Sequence, residues 1–138
     1  MNLDKIVLSY IKDYQHEFMM VDKNKKYKKE EITNKIFSYQ LQLNKIWGKS
    51  KNRGIAILLE RDVEYICLIF AIWLSKGFYL PFSEETPREN INQQLKDSKI
   101  NFIAQKKKNK IQFRNLKNKN RNKLIESNYK NISYIIFT

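Results

Sequence analysis

Cysteine, histidine, acidic residues and long apolar runs are all scarce in this chain, and each scarcity removes a class of function. Cys67 is the only cysteine, so no intrachain disulfide can form and a reducing compartment, the cytoplasm, is expected. Cys67 lies between Ile66 and Leu68, whereas a reactive thiolate needs an electropositive, partly exposed niche; it reads as buried filler. His16 is the only histidine, flanked by Gln15 and Glu17, and a metal site needs more ligands than that. The longest apolar run, Tyr65 to Leu74, falls short of the roughly 20 residues that span a bilayer. Asp4, Lys12 and Asp13 interrupt the apolar clusters at the start, so no signal peptide is expected.

Acidic residues number 14 against 27 basic ones, a net charge of +13, which raises the question of a polyanionic partner. Lys and Asn recur along the whole chain, as a bias in base composition would produce. That reading is preferred here, because a binding surface concentrates its charge on one element. A hydrophobic content of 42% argues for a folded domain with a core.

The segment from Arg53 to Phe82 organises the rest. Ile55, Ala56, Ile57, Leu58 and Leu59 form the continuous apolar run of a strand covered on both faces. After Glu60, Arg61 and Asp62, residues 63–74 are apolar almost all round, which predicts a largely buried helix. Asp62 is placed to cap its first turn, and Glu64 adds negative charge where the helix dipole favours it. Phe78 to Phe82 reads as a second strand. Strand, helix, strand is a βαβ unit with an expected right-handed crossover.

Upstream, Leu3, Ile6, Val7, Tyr10, Ile11 and Tyr14 follow helical spacing. Phe18 to Val21 predicts a strand, Asp22, Lys23 and Asn24 a turn, and Lys25 to Tyr27 its hairpin partner. Ile32, Ile36, Tyr39, Leu43 and Trp47 mark one face of a longer helix stopped near Gly48. Downstream, Ser83, Glu84 and Glu85 form a polar turn. Thr86, Pro87, Arg88 and Glu89 spell a capping box with Thr86 at the cap. That helix is expected to turn Ile91 and Leu95 inward, with Asn92 beside them, and to end near Ser98, and Ile100, Phe102 and Ile103 follow as another short strand. Ile132, Tyr134, Ile135, Ile136 and Phe137 predict a last one. The fold class expected is α/β, a mainly parallel sheet with flanking helices.

No acidic residue occurs from Lys99 to Ile125. One reading is a non-catalytic basic module that binds nucleic acid or an anionic surface through Lys106 to Lys123. The preferred one is a solvated hairpin or loop, because Phe113 is the lone aromatic there and single-strand binders usually supply several.

Four blocks in order resemble the AMP-forming adenylating enzymes, the superfamily of acyl-CoA synthetases, luciferases and amino-acid-activating adenylation domains. Ile55 to Val63 (IAILLERDV) is similar to the family's strand and helix entry, and its LLER leans toward the amino-acid-activating branch. Tyr27 to Ile32 (YKKEEI) resembles the Leu-Thr-Tyr-x-Glu-Leu segment. Trp73 to Ser83 (WLSKGFYLPFS) with Thr86 to Ile91 (TPRENI) resembles the Leu-Lys-Ala-Gly-x-Tyr-x-Pro-x-Asp block and its following helix. Asn131 to Thr138 (NISYIIFT) resembles the strand that leads into the phosphate-binding loop. Departures occur at Ser75, Lys76, Ser83 and Lys28. Lys28 stands where the family has a capping Thr, which costs about 1 kcal/mol of helix stability.

The resemblance implies that residues 1–138 are a partial N-terminal adenylation domain, truncated just before the phosphate-binding loop. Thr138 alone carries over, as the first residue of that incomplete loop. Such enzymes join a carboxylate, here an amino acid by the branch it leans to, to ATP with Mg2+, release pyrophosphate and pass the acyl group to a thiol. No catalytic residue, metal ligand or cofactor is assigned to this chain, which is expected to be inactive alone. The expected partners are the remainder of the adenylation domain, a carrier protein, or a second copy meeting the uncovered face of the 63–74 helix.

Overall fold

The structure, a computed structural model, describes residues 2–82 and 85–116. The element order is α1 (Leu3–Asp13), β1 (Phe18–Asp22), β2 (Lys25–Lys28), α2 (Lys29–Trp47), β3 (Gly54–Leu58), α3 (Val63–Leu74), β4 (Phe78–Pro81), α4 (Arg88–Asp97), β5 (Phe102–Lys107) and β6 (Lys110–Asn115). These elements fall into two compact units, one holding α1, β1, β2, α2 and α3, the other β3, β4, α4, β5 and β6.

In the first unit, the apolar stripe of α2 buries Ile32, Ile36, Leu43 and Trp47, and α2 packs against α3. Helix α3 buries eight of its twelve residues, as its nearly unbroken apolar sequence requires. The stripe on α1 is narrower than its spacing suggests: Val7 and Ile11 are buried, but Ile6 is 55% exposed. Strands β1 and β2 pair antiparallel around Lys23 and Asn24, both at positive φ (49° and 68°), as a two-residue hairpin turn needs.

The second unit is a sheet in the order β4-β3-β5-β6. β3 runs parallel to both β4 and β5, while β5 and β6 form an antiparallel hairpin. The described sheet is thus parallel at its centre with one antiparallel strand. Every residue of β3 is buried, in keeping with its uninterrupted apolar sequence. Ala56, Leu58, Leu80, Phe82, Ile91, Leu95, Ile100, Ile103 and Leu116 make one core. Gly54 pairs with Phe78, and a Cβ added there would come within 2.5 Å of the Phe78 ring; only glycine admits so close a cross-strand ring.

Helix ends show where local sequence rules held and failed. The Asp62 carboxylate accepts the Tyr65 N–H at 3.0 Å, as expected. Lys28 offers α2 no acceptor, and only the reverse half of the box forms, with the Glu31 carboxylate accepting the Lys28 N–H at 3.3 Å. The box expected at Thr86 does not form. Pro87 takes the cap position without a side-chain bond, and its carbonyl accepts the N–H groups of Asn90 and Ile91. The helix therefore starts one residue late for Thr86 and Glu89 to reach each other.

Helices α3 and α4 end alike. The N–H groups of Gly77 and Ile100 reach back to the carbonyls of Ile72 and Leu95, while Lys76 and Lys99 take the left-handed turn at φ 58° and 55°. Glycine is usual at that position, and a side chain there costs about 1 kcal/mol. Lys76→Gly and Lys99→Gly are each expected to raise stability by about 0.5–1 kcal/mol, read as higher urea midpoints with unchanged slopes.

Candidate functional site

Helices α2 and α3 assemble a polar cluster around Glu64. Asp62 caps α3, and Asp22 of β1 accepts the Val63 N–H at 3.3 Å, so two carboxylates neutralise the positive helix end. One turn on, the Glu64 carboxylate accepts from the Lys35 ammonium at 2.6 Å and from the Tyr39 hydroxyl. The hydrogen bond to Glu64 raises the Lys35 pKa, partly opposed by burial. Burial, then the bond to Glu64, raises that of Tyr39. Cys67, fully buried, is pushed up to about 12, first by burial and then by the Glu64 charge.

Each shift moves its group away from reactivity at neutral pH. The thiol stays protonated and Lys35 stays charged, so neither is a nucleophile or general base. Cys67 is buried filler, as its neighbours in sequence imply. The cluster locks α2 to α3; it is not poised for proton transfer.

Outside this cluster, polar groups gather more loosely. An open depression of about 680 Å3 is lined by Ile11, Lys12, Lys29, Glu30, Thr33 and Asn34. Its Lys29 ammonium donates to the carbonyls of Lys12 in the last turn of α1 and of Tyr14 just after it. No group of three His, Cys, Asp or Glu side chains able to hold a metal occurs among the described residues. No helix among them is long and apolar enough to cross a membrane.

Thr138, the strand expected over Ile132–Phe137, and Lys117 to Lys123 lie outside the described residues, as do Ser83 and Glu84 of the polar turn. The front of the basic stretch is the β5–β6 hairpin, one of the forms expected of it. Strand β5 runs on to Lys107, further than its apolar residues alone indicate, because pairing with β6 holds it extended.

Neither a protein-family model nor a curated protein matches this sequence. Among solved structures, the fold is similar to the Vibrio cholerae adenylation domain AlmE in complex with glycyl-adenosine-5'-phosphate. The TM-score is 0.59 at 24% sequence identity, over 73% of this chain and 18% of that one. The chain thus spans less than a fifth of the protein it matches. In fold, this chain is similar to part of an adenylation domain, the kind of domain that its ordered sequence blocks resemble.

Proposed function

We propose that this chain is N-terminal scaffold of an AMP-dependent ligase that activates a carboxylate, an amino acid, as its acyl adenylate, and that the 138 residues alone do not catalyse the reaction. The observation that carries the reading is the fold shared with an adenylation domain whose structure holds a glycyl adenylate, joined to four sequence blocks in the family's order. ATP and Mg2+ do not fit the described residues. Glu64 is already taken by Lys35 and Tyr39, a half-exposed cluster that ties α2 to α3. The grip on phosphate is accordingly assigned beyond them, with Thr138 opening the phosphate loop. The described chain supplies the sheet and helices on which such a loop is mounted. The remainder of the domain, and a carrier thiol as acyl acceptor, are the proposed partners.

The test is pyrophosphate exchange into ATP with the twenty amino acids, using the 138-residue chain alone and together with the remainder of an adenylation domain. The expected result is no exchange alone. Exchange by the chain alone overturns the inactivity. For the family reading, the nucleotide sequence beyond codon 138 is expected to encode a Ser/Thr/Gly-rich loop ending in Lys, in this frame or another; its absence counts against the kinship. Ile66 on α3 is 43% exposed, and Phe37 and Leu41 on α2 are 39% and 73% exposed. The isolated chain is therefore expected to sediment as oligomers, and a monodisperse monomer contradicts that.

A further inference from the structure

The two hairpins share a turn and differ in charge. Lys23-Asn24 turns the first and Lys108-Asn109 the second, all four residues at positive φ. At the tip of the first, Asp22 stands opposite Lys25, an attractive pair. At the tip of the second, Lys107 stands opposite Lys110, and like charges directly opposed destabilise a sheet. A bias toward Lys and Asn explains the shared turn but not the missing acid. Residues 106–115 carry five cations in ten positions and no carboxylate, whereas the equally lysine-rich residues 21–30 offset their five with Asp22 and Glu30, so the uncompensated charge lies on the second hairpin.

Register decides what the surface presents. Pairing Lys107 with Lys110, Gln105 with Gln112 and Ile103 with Arg114 puts these six on one face. Ile103 and Gln105 are buried, so the accessible part of that face is Lys107, Lys110 and Gln112, with half-buried Arg114, whose Nε is buried, at one end and Lys108 at the turn. Arg114 donates to the Gln112 side chain at 3.1 Å. Lys110 and Arg114, four residues apart on one strand, are separated by about 13 Å, the rise of about four phosphates along a duplex strand. Among the described residues, none of Lys107, Lys108, Lys110 and Arg114 forms an ion pair.

We propose that this face of the β5–β6 hairpin contacts the phosphate backbone of a nucleic-acid duplex without reading its sequence. Single strands are disfavoured because no aromatic side chain lies on the face; Phe113 is on the other. An anionic bilayer is disfavoured because its one apolar residue, Ile103, is fully buried and cannot insert. Nothing in this inference depends on the adenylating reading.

The experiment is a salt series of fluorescence anisotropy titrations of the 138-residue chain against a random-sequence duplex, DNA in one arm and RNA in the other. One variant carries K107Q, K108Q, K110Q and R114Q. A control carries K5Q, K45Q, K49Q and K51Q, four exposed lysines elsewhere, so both lose the same net charge. The hairpin variant is expected to lower the slope of log K against log salt by about 3 to 4 and to lose at least about tenfold in affinity, while the control retains most of both. If the quadruple variant does not fold by circular dichroism, K107Q with K110Q is expected to show about half the change in slope. Equal losses in both variants, no binding of the parent to either duplex, or loss confined to phosphatidylserine vesicles each overturns the proposal.

Discussion

Phe82→Ala is expected to cost about 3–5 kcal/mol, the range for truncating a buried aromatic. Phe82 is fully buried and is the largest such side chain among the described residues, enclosed by the core that includes Ala56, Leu80, Ile91 and Leu95. Helix α4 contributes just two buried residues, Ile91 and Leu95, and has little else with which to close over a void of that size. Since small domains are stable by only about 5–15 kcal/mol, the variant is expected to lose most of its cooperative urea transition at room temperature. Leu41→Ala is the matched control. Leu41 is 73% exposed, and its loss is expected to change stability by less than about 0.5 kcal/mol. Similar midpoints for the two variants would show that Phe82 is not in a core.

Alkali is expected to unfold the α2–α3 pair well before it would unfold a typical domain. A thiol whose pKa is higher when folded holds its proton more tightly in that state. Its contribution is intact below pH 9 and lost as pH rises through the window up to about 12. Within that window unfolding releases one proton, and stability falls by about 1.4 kcal/mol per pH unit. Tyr39 carries the same sign from its ordinary value of 10.0 upward. Lys35 adds the loss of its bridge to Glu64 once the pH passes its own raised value. Urea midpoints of the parent chain are expected to drop steeply above pH 9. Cys67→Ala is expected to flatten the early part of the fall, and Tyr39→Phe the part above pH 10. A parent midpoint unchanged between pH 7 and 11 would contradict the burial of these groups.

Sequence was most informative where one side chain per turn or per alternate residue decides burial. Ile32, Ile36, Leu43 and Trp47 spell out α2 because nothing but a packed face explains that spacing. Ile55 to Leu59 announces a doubly covered strand for the same reason. It was least informative where the outcome depends on distant partners. Glu64 lies 29 residues from Lys35 and 25 from Tyr39, and no local rule links them; Glu64 was read only as a charge at a helix start. At Thr86 the local rule was present and lost by a single residue, since Pro87 with extended backbone took the cap. The hairpin in the basic stretch had a usable signal in the repeated Lys-Asn pair. How far β5 runs was set by pairing with β6 and not by hydrophobicity. Thr138 stays an inference from resemblance.

The sheet's central pairing has a cost in time. β3 must wait for β5, and Ala56 meets Ile103 across 103 − 56 = 47 intervening steps of chain. On a ribosome adding about 5–20 residues each second, the fully buried strand β3 emerges several seconds before the neighbour that covers its edge. During that interval its unpaired N–H and C=O groups are open to other nascent chains. Yield in cells is therefore expected to depend on holdase chaperones more than the equilibrium stability of the finished fold suggests.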